Sequence, residues 1–369
     1  MGSVRGGHTF LRWRRGKPAV RMGLESMKKA RFWIGIAISV IALGFAFRQV
    51  NFAAVWQALL GANYWLLAAS VVPLIVFLVL RAFRWRVLFS PQRGLRLVNL
   101  LAVINIGYLL SNIFPARLGD VARAYLIGDT EDVSRAAAFS TIVAERVLDA
   151  LSAVVGFFIV LPFAPLPDWM IRAGLVVGVA ALIAVVLFVV LVRRREWTLS
   201  LIDRTLRLFH WPDCEPMSRF WQRLAERMHL KFVANLPWLD RESLAGMAGS
   251  LIDGFGGITT PGLGPILVLW SIVIWAVISV FYWVVLLAFA PRQPFVAGLG
   301  MASVTALGMT VPASPGYIGV FEALGRETMV LFGLNAVSAL SYALVAHAIV
   351  YVVYTFLGLG SMLQQNLTY

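Results

Sequence analysis

Six stretches of this sequence, at 32–47, 64–80, 142–163, 171–192, 266–290 and 337–359, are dominated by apolar residues. Each approaches or exceeds the ~20 residues that a helix needs to cross about 30 Å of hydrocarbon. Backbone inside hydrocarbon has no water to bond to, so only helices or a closed barrel can satisfy its N–H and C=O groups there. The expected fold is therefore an all-α integral membrane protein with about six transmembrane helices. Composition agrees: 60% of the 369 residues are hydrophobic, 14% are charged and the mean hydropathy is +0.81, outside the range of ordinary soluble chains.

The formal charge of +14 then reads as orientation. Lys and Arg gather in the cytoplasmic loops of membrane proteins, and no soluble basic domain is offered to a duplex, so nucleic acid is not an expected partner. Residues 1–30 form a basic tail, with Arg12, Arg14, Arg15 and Lys17 among its cations. The run that follows is long and lacks a small-residue cleavage site, so it reads as an uncleaved first span. Arg81, Arg84 and Arg86 after the second run, and Arg193, Arg194 and Arg195 after the fourth, mark the same cytoplasmic side. A bacterial-type inner membrane with both termini in the cytoplasm is the expected location.

Two crossings, 142–163 and 171–192, lie between those clusters and return the chain to its starting side. The apolar segment 97–114 must then add no net crossing, which predicts a re-entrant hairpin over 97–128 that turns near Pro115 and Gly119. By the same count, 295–332 enters from the opposite face and turns near Pro312, Pro315, Gly316 and Gly319. Two membrane halves, 31–192 and 247–363, are thus expected in an inverted-repeat-like arrangement around a cytoplasmic amphipathic segment, 193–246. Within that segment, 217–233 is patterned for the membrane surface. Both turns carry Pro-Ala-x-x-Gly, at Pro115 to Gly119 and at Pro312 to Gly316, 197 positions apart. Paired broken segments in two halves point to a transporter binding site.

Charge near these turns is the chemical signal. Arg117, Asp120 and Arg123 follow the first turn, and Glu145, Arg146 and Asp149 lie on the next span. A charge at the bilayer centre costs roughly 2.5 to 3.5 kcal/mol on insertion scales, so such residues are usually paired and functional. Glu145 and Asp149 are four apart and share a helix face that could meet Arg117 or Arg123; the alternative places the trio at the cytoplasmic end of its span. Asp120 is expected as a helix N-cap, and Ser314 with Pro315 as an N-cap and first helical residue. A buried helix N-terminus beside arginines favours an anion, most naturally a phosphate. Glu322 is open to three partners: a cationic headgroup, Arg326, or an arginine of the first half. Arg81, Arg84 and Arg86 could gather anionic lipid at the surface, or serve as an anchor of the second span.

Other chemistries lack their residues. Cys214 is alone, and His8, His210, His229 and His347 are scattered without ligand spacing, so structural roles are expected for all four and no metal site. Gly254 to Gly257 lacks the Lys-Ser or Lys-Thr of a P-loop, and no hydrolase motif or cofactor site is legible.

The strings Asn112-Ile113-Phe114-Pro115-Ala116-Arg117-Leu118-Gly119-Asp120, Glu145-Arg146-Val147-Leu148-Asp149 and Ser314-Pro315-Gly316-Tyr317-Ile318-Gly319-Val320-Phe321-Glu322 resemble the signatures of the lysylphosphatidylglycerol synthase transmembrane (flippase-like, UPF0104) family. The resemblance runs from about residue 31 to 363. It implies translocation of a phosphate-bearing lipid, such as an aminoacylated phospholipid or a polyprenyl-phosphate-linked lipid. Because the chain ends at Tyr369, it implies this without the transferase activity of the fused synthases. It also implies a lipid path lined by Arg117, Asp120, Glu145, Arg146, Asp149, Ser314 and Glu322. Tyr317 departs from the Gly often found at its position.

The leading expectation is a flippase or scramblase in which Arg117 and Arg123 neutralise the headgroup, with Glu145 or Asp149 as a proton carrier. Its rivals are a membrane transferase with Asp120, Glu145 or Glu322 as base, and an accessory subunit of a lipid-modifying enzyme. Expected partners are a membrane phospholipid or lipid-linked substrate, with room for a separately encoded lipid synthase or glycosyltransferase and for a homodimer.

Overall fold

The structure is a computed structural model and describes residues 40–47, 51–89, 94–114, 118–131, 133–164, 168–208, 249, 260, 262–309 and 314–365. All regular structure among the described residues is helical. The basic tail, the amphipathic stretch 217–233 and the turn residues Pro115, Arg117 and Pro312 lie outside them.

A short surface helix, α1 (Phe52–Leu60), is capped by Asn51, whose side chain accepts from the Ala53 N–H. The chain then makes α2 (Tyr64–Leu88), the broken pair α3 (Leu97–Ile113) and α4 (Leu118–Thr130), and α5 (Arg135–Val160). After α6 (Asp168–Arg193) and α7 (Arg195–Leu208), the second set follows: α8 (Leu263–Leu287), the broken pair α9 (Phe295–Gly308) and α10 (Val320–Leu331), and α11 (Ala336–Gln364). Four helical stretches of 25 to 29 residues, built on α2, α5, α8 and α11, are long and apolar enough to cross a membrane. At 1.5 Å per residue they reach about 37 to 43 Å. The fourth apolar run lies within α6, whose 26 residues reach a similar length. By contrast α3 and α9, at 17 and 14 residues, reach only about 25 and 21 Å.

Boundaries differ from the apolar runs where polar residues continue a helix. α5 begins at Arg135 because Ser134 caps it through the Ala137 N–H, so Glu145, Arg146 and Asp149 fall at its eleventh, twelfth and fifteenth positions, mid-helix and not at an end. α2 continues past Leu80 to Leu88 and carries Arg81, Arg84 and Arg86 on the helix itself.

The two sets form a structural repeat. α2 packs on α8, and the sets exchange partners: α3 of the first packs on α11 of the second, while α9 of the second packs on α5 of the first. Within each set the arms of the broken pair pack together, and the second arm packs on the following span. Apolar side chains cover the outside, with Val268, Leu269, Ile272 and Phe356 exposed, while Arg81, Arg84, Arg123 and Glu145 are buried. That polarity, inverted relative to a soluble protein, suits hydrocarbon as the surrounding solvent.

Close approach of α3 and α4 depends on glycine. A Cβ on Gly119 would sit 1.9 Å from the Gly107 carbonyl oxygen and 2.3 Å from Ser111 Oγ. Gly119→Ala is therefore expected to force the two arms apart and to destabilise the protein by about 1 to 3 kcal/mol. Gly360→Ala, on α11 with nothing within 4 Å, is expected to be neutral or mildly stabilising. Thermal unfolding of both variants in detergent checks the contrast.

Candidate functional site

The first repeat buries a network of charge. On α5, Glu145 Oε2 accepts from Arg123 Nη2 of α4 at 2.8 Å, and Glu145 Oε1 meets Arg81 of α2 and Arg146 Nη2, the latter at 3.3 Å. One turn on, Asp149 accepts from Arg81 at 2.9 Å and from Arg84 at 2.6 Å. Asp120, in the first turn of α4, lies 3.5 Å from Arg123 and 3.4 Å from Arg146 Nε. Arg84 also donates to Ser271 Oγ on α8 at 3.1 Å, and Arg123 lies 4.3 Å from the Trp85 ring centroid. Four guanidiniums against three carboxylates leave one formal positive charge among the described groups.

A cavity of 440 Å³ opens beside this network. Arg81, Asp120, Arg123, Arg146 and Asp149 line it from the first repeat; Tyr282, Thr305, Phe321, His347 and Tyr354 line it from the second. Every helix of both repeats contributes, so the cavity sits where the repeats exchange partners.

The second repeat supplies a different pair. Glu322 Oε1 lies 2.6 Å from His347 Nδ1 of α11, and Glu322 Oε2 accepts from the Gly319 N–H at 2.6 Å, closing the first turn of α10. The His347 ring stacks on Phe321 with centroids 4.4 Å apart. Before α10, Gly316 and Tyr317 both have left-handed backbones, φ 67° and 60°. The second is a strained conformation for a residue with a Cβ.

Several expectations change. Arg81 and Arg84 are 5% and 0% exposed and belong to the network, not to a lipid-gathering surface; Arg86 alone of the three faces outward. Of the two protein partners considered for Glu322, neither meets it among the described residues; it meets His347, and Arg326 pairs with Glu327 instead. His347 is thus part of the site, not a scattered structural histidine. Asp120 is the third residue of α4, not its N-cap. Ser314 and Pro315 head a single 3-10 turn ending at Tyr317, and α10 starts only after Gly319.

The closing glycines of the two Pro-Ala-x-x-Gly strings take different places: Gly119 lies inside α4, whereas Gly316 precedes α10. The equivalence that survives is chemical. Asp120 and Glu322 each lie in the first turn of the returning helix, and Arg146 and His347, their partners, are each twelfth in the following span. Sequence spacing alone hides this, because it appears only once the helix starts are known.

A family model, the lysylphosphatidylglycerol synthase TM region, matches residues 32–358. The chain belongs to that family. No curated protein and no solved structure matches it significantly. Membership and the apolar spans agree on a multi-pass membrane protein.

Removing the carboxylate that holds this network together strands its cations. Glu145→Gln is expected to destabilise the protein by about 3 to 5 kcal/mol, the usual cost of leaving a buried charge unpaired. Asp129→Asn, which breaks a pair with Arg135 whose side chains are each more than two-fifths exposed, is expected to cost at most about 1 kcal/mol. Denaturation midpoints in one detergent compare the two.

Proposed function

We propose that this protein moves a phosphate-bearing lipid between leaflets, with the headgroup passing through the cavity between the repeats while the acyl chains stay in hydrocarbon. The observation that carries the reading is the joint presence of one excess positive charge within the first repeat's network and a cavity that every helix of both repeats lines. A phosphodiester in hydrocarbon is opposed by desolvation, and preorganised guanidiniums in a low-dielectric cavity offset that cost with strong, bidentate hydrogen bonds. Arg146 is the best placed of the four, because about a third of its side chain is exposed and it lines the cavity.

In this reading α3 with α4, and α9 with α10, act as re-entrant hairpins from opposed faces. Their short arms reach less than the full hydrocarbon thickness, and Asn112, Asp120, Met309 and Gly316, which flank the turns, line the cavity. In the same reading the location is an inner membrane with cytoplasmic termini, supported by the basic N-terminal residues and by Arg193 to Arg195. A separately encoded lipid-modifying enzyme and a second copy of the chain remain compatible partners.

A second reading, a transferase using a lipid-phosphate donor, finds its base in the Glu322–His347 pair, since Asp120 and Glu145 are held by arginines. It requires a new covalent product.

In proteoliposomes carrying phospholipids fluorescently labelled in the headgroup or chain, wild type is expected to expose inner-leaflet label to an impermeant quencher. Arg146→Gln is expected to slow that exposure by ten-fold or more, and Asp129→Asn to leave it unchanged. A rate equal to that of empty vesicles, with or without a new lipid product, would reject translocation.

A further inference from the structure

The two repeats each place an acid beside a base at the cavity, a guanidinium in the first and an imidazole in the second. A guanidinium keeps its charge across the pH range of proteins, whereas an imidazole is the side chain whose charge changes near neutrality. We propose that Glu322 and His347 form a proton-binding site linked to the cavity, so that one proton taken up by the pair accompanies each phosphate anion bound. This rests on the reading of the cavity as a phosphate site.

Charge balance carries the inference. The first-repeat network holds one formal positive charge, and Glu322 beside a neutral His347 brings the described groups of the site to zero. Protonation of the pair from solvent, on whichever of the imidazole or the carboxylate holds the proton, leaves the site at plus one. A phosphodiester monoanion then restores neutrality. Anion and proton therefore favour one another, and the linkage is reciprocal.

The other carboxylates cannot take this role, which corrects the expectation that Glu145 or Asp149 carries the proton. Asp120 faces two arginines, Glu145 four and Asp149 three, and protonating any of them would strand buried guanidiniums. Among the described residues, few charged or titratable groups surround His347. α1 and α9 carry no ionisable residue; α3 and α8 carry only Tyr108 and Tyr282. α2 presents Arg81 to the cavity, the 3-10 turn presents Tyr317, and α11 itself adds Tyr342, Tyr351 and Tyr354. α10 adds Arg326 and Glu327, paired with each other. Across the cavity stand Asp120, Arg123, Arg146 and Asp149.

The test is binding measured apart from transport. Purified full-length protein in neutral detergent is titrated with dihexanoylphosphatidylglycerol between pH 5.5 and 8.5, following tryptophan fluorescence; Trp275 lines the cavity, and the phosphodiester keeps one charge throughout. Wild-type Kd is expected to rise about ten-fold from the acid to the alkaline end, within the range usual for linked sites. His347→Gln is expected to give weak, pH-independent binding, and His347→Arg, which copies Arg146, tight and pH-independent binding. The same pattern with dimethyl phosphate would place recognition in the phosphodiester alone, and its loss would make the acyl chains part of the ligand; either supports the linkage. Wild-type binding that is flat with pH, or a pH dependence that survives in both variants, overturns the proton site while leaving the phosphate reading intact. No binding at any pH overturns both.

Discussion

Four guanidiniums and three carboxylates share the interior of the first repeat, and neither set is tolerable there without the other. Each charge would cost several kcal/mol to desolvate alone, so the helices that carry them must meet in one arrangement. α2 has to run on to Leu88 to deliver Arg81 and Arg84 on one face, and α4 has to fold back against α3 to deliver Arg123. α5 has to hold Glu145 and Asp149 one turn apart in mid-helix. Ser271 ties the network to α8, so assembly of the first repeat also docks the second. The glycine contact between Gly107 and Gly119 is part of the same constraint, because a wider hairpin would carry Arg123 away from Glu145.

The repeat shows how much of this is function and how much is scaffold. Counting from each helix start, Arg123 corresponds to Gly325, Glu145 to Ala346 and Asp149 to Val350, while Arg81 and Arg84 correspond to Val280 and Trp283. Among the described residues, the second repeat thus shows the same order of helix contacts without a buried arginine network. What both repeats keep is an acid opening the returning helix and a basic partner on the next span. Charge in excess of the scaffold's needs, beside a cavity, is what a ligand would require.

Much of the fold was legible because apolar length is a strong signal. The apolar runs at 64–80 and 266–290, which mark the helices Tyr64–Leu88 and Leu263–Leu287, and the short arms before Pro115 and Pro312, follow from hydrophobicity and proline alone. Asp120, Arg123, Glu145, Arg146 and Asp149 stood out because charges in apolar stretches are costly. Arg81 and Arg84 were misplaced because a window of hydropathy ends at the first arginine, whereas a helix continues through arginines whose partners lie elsewhere in the chain. His347 was missed for a related reason. Its meaning comes from Glu322, 25 residues away and on another helix, and no spacing rule on one helix exposes that contact. The repeated Pro-Ala-x-x-Gly string drew attention to the right segments but aligned them in the wrong register.

The central claim is that a lipid phosphate occupies the cavity between the repeats. Its most direct test is an electron cryomicroscopy structure in nanodiscs containing phosphatidylglycerol. Headgroup density within hydrogen-bonding distance of Arg146 or Arg123, with acyl density leaving between helices, is the predicted result. A cavity holding only water, with ordered lipid confined to the apolar outer faces of α2, α8 and α11, would contradict it.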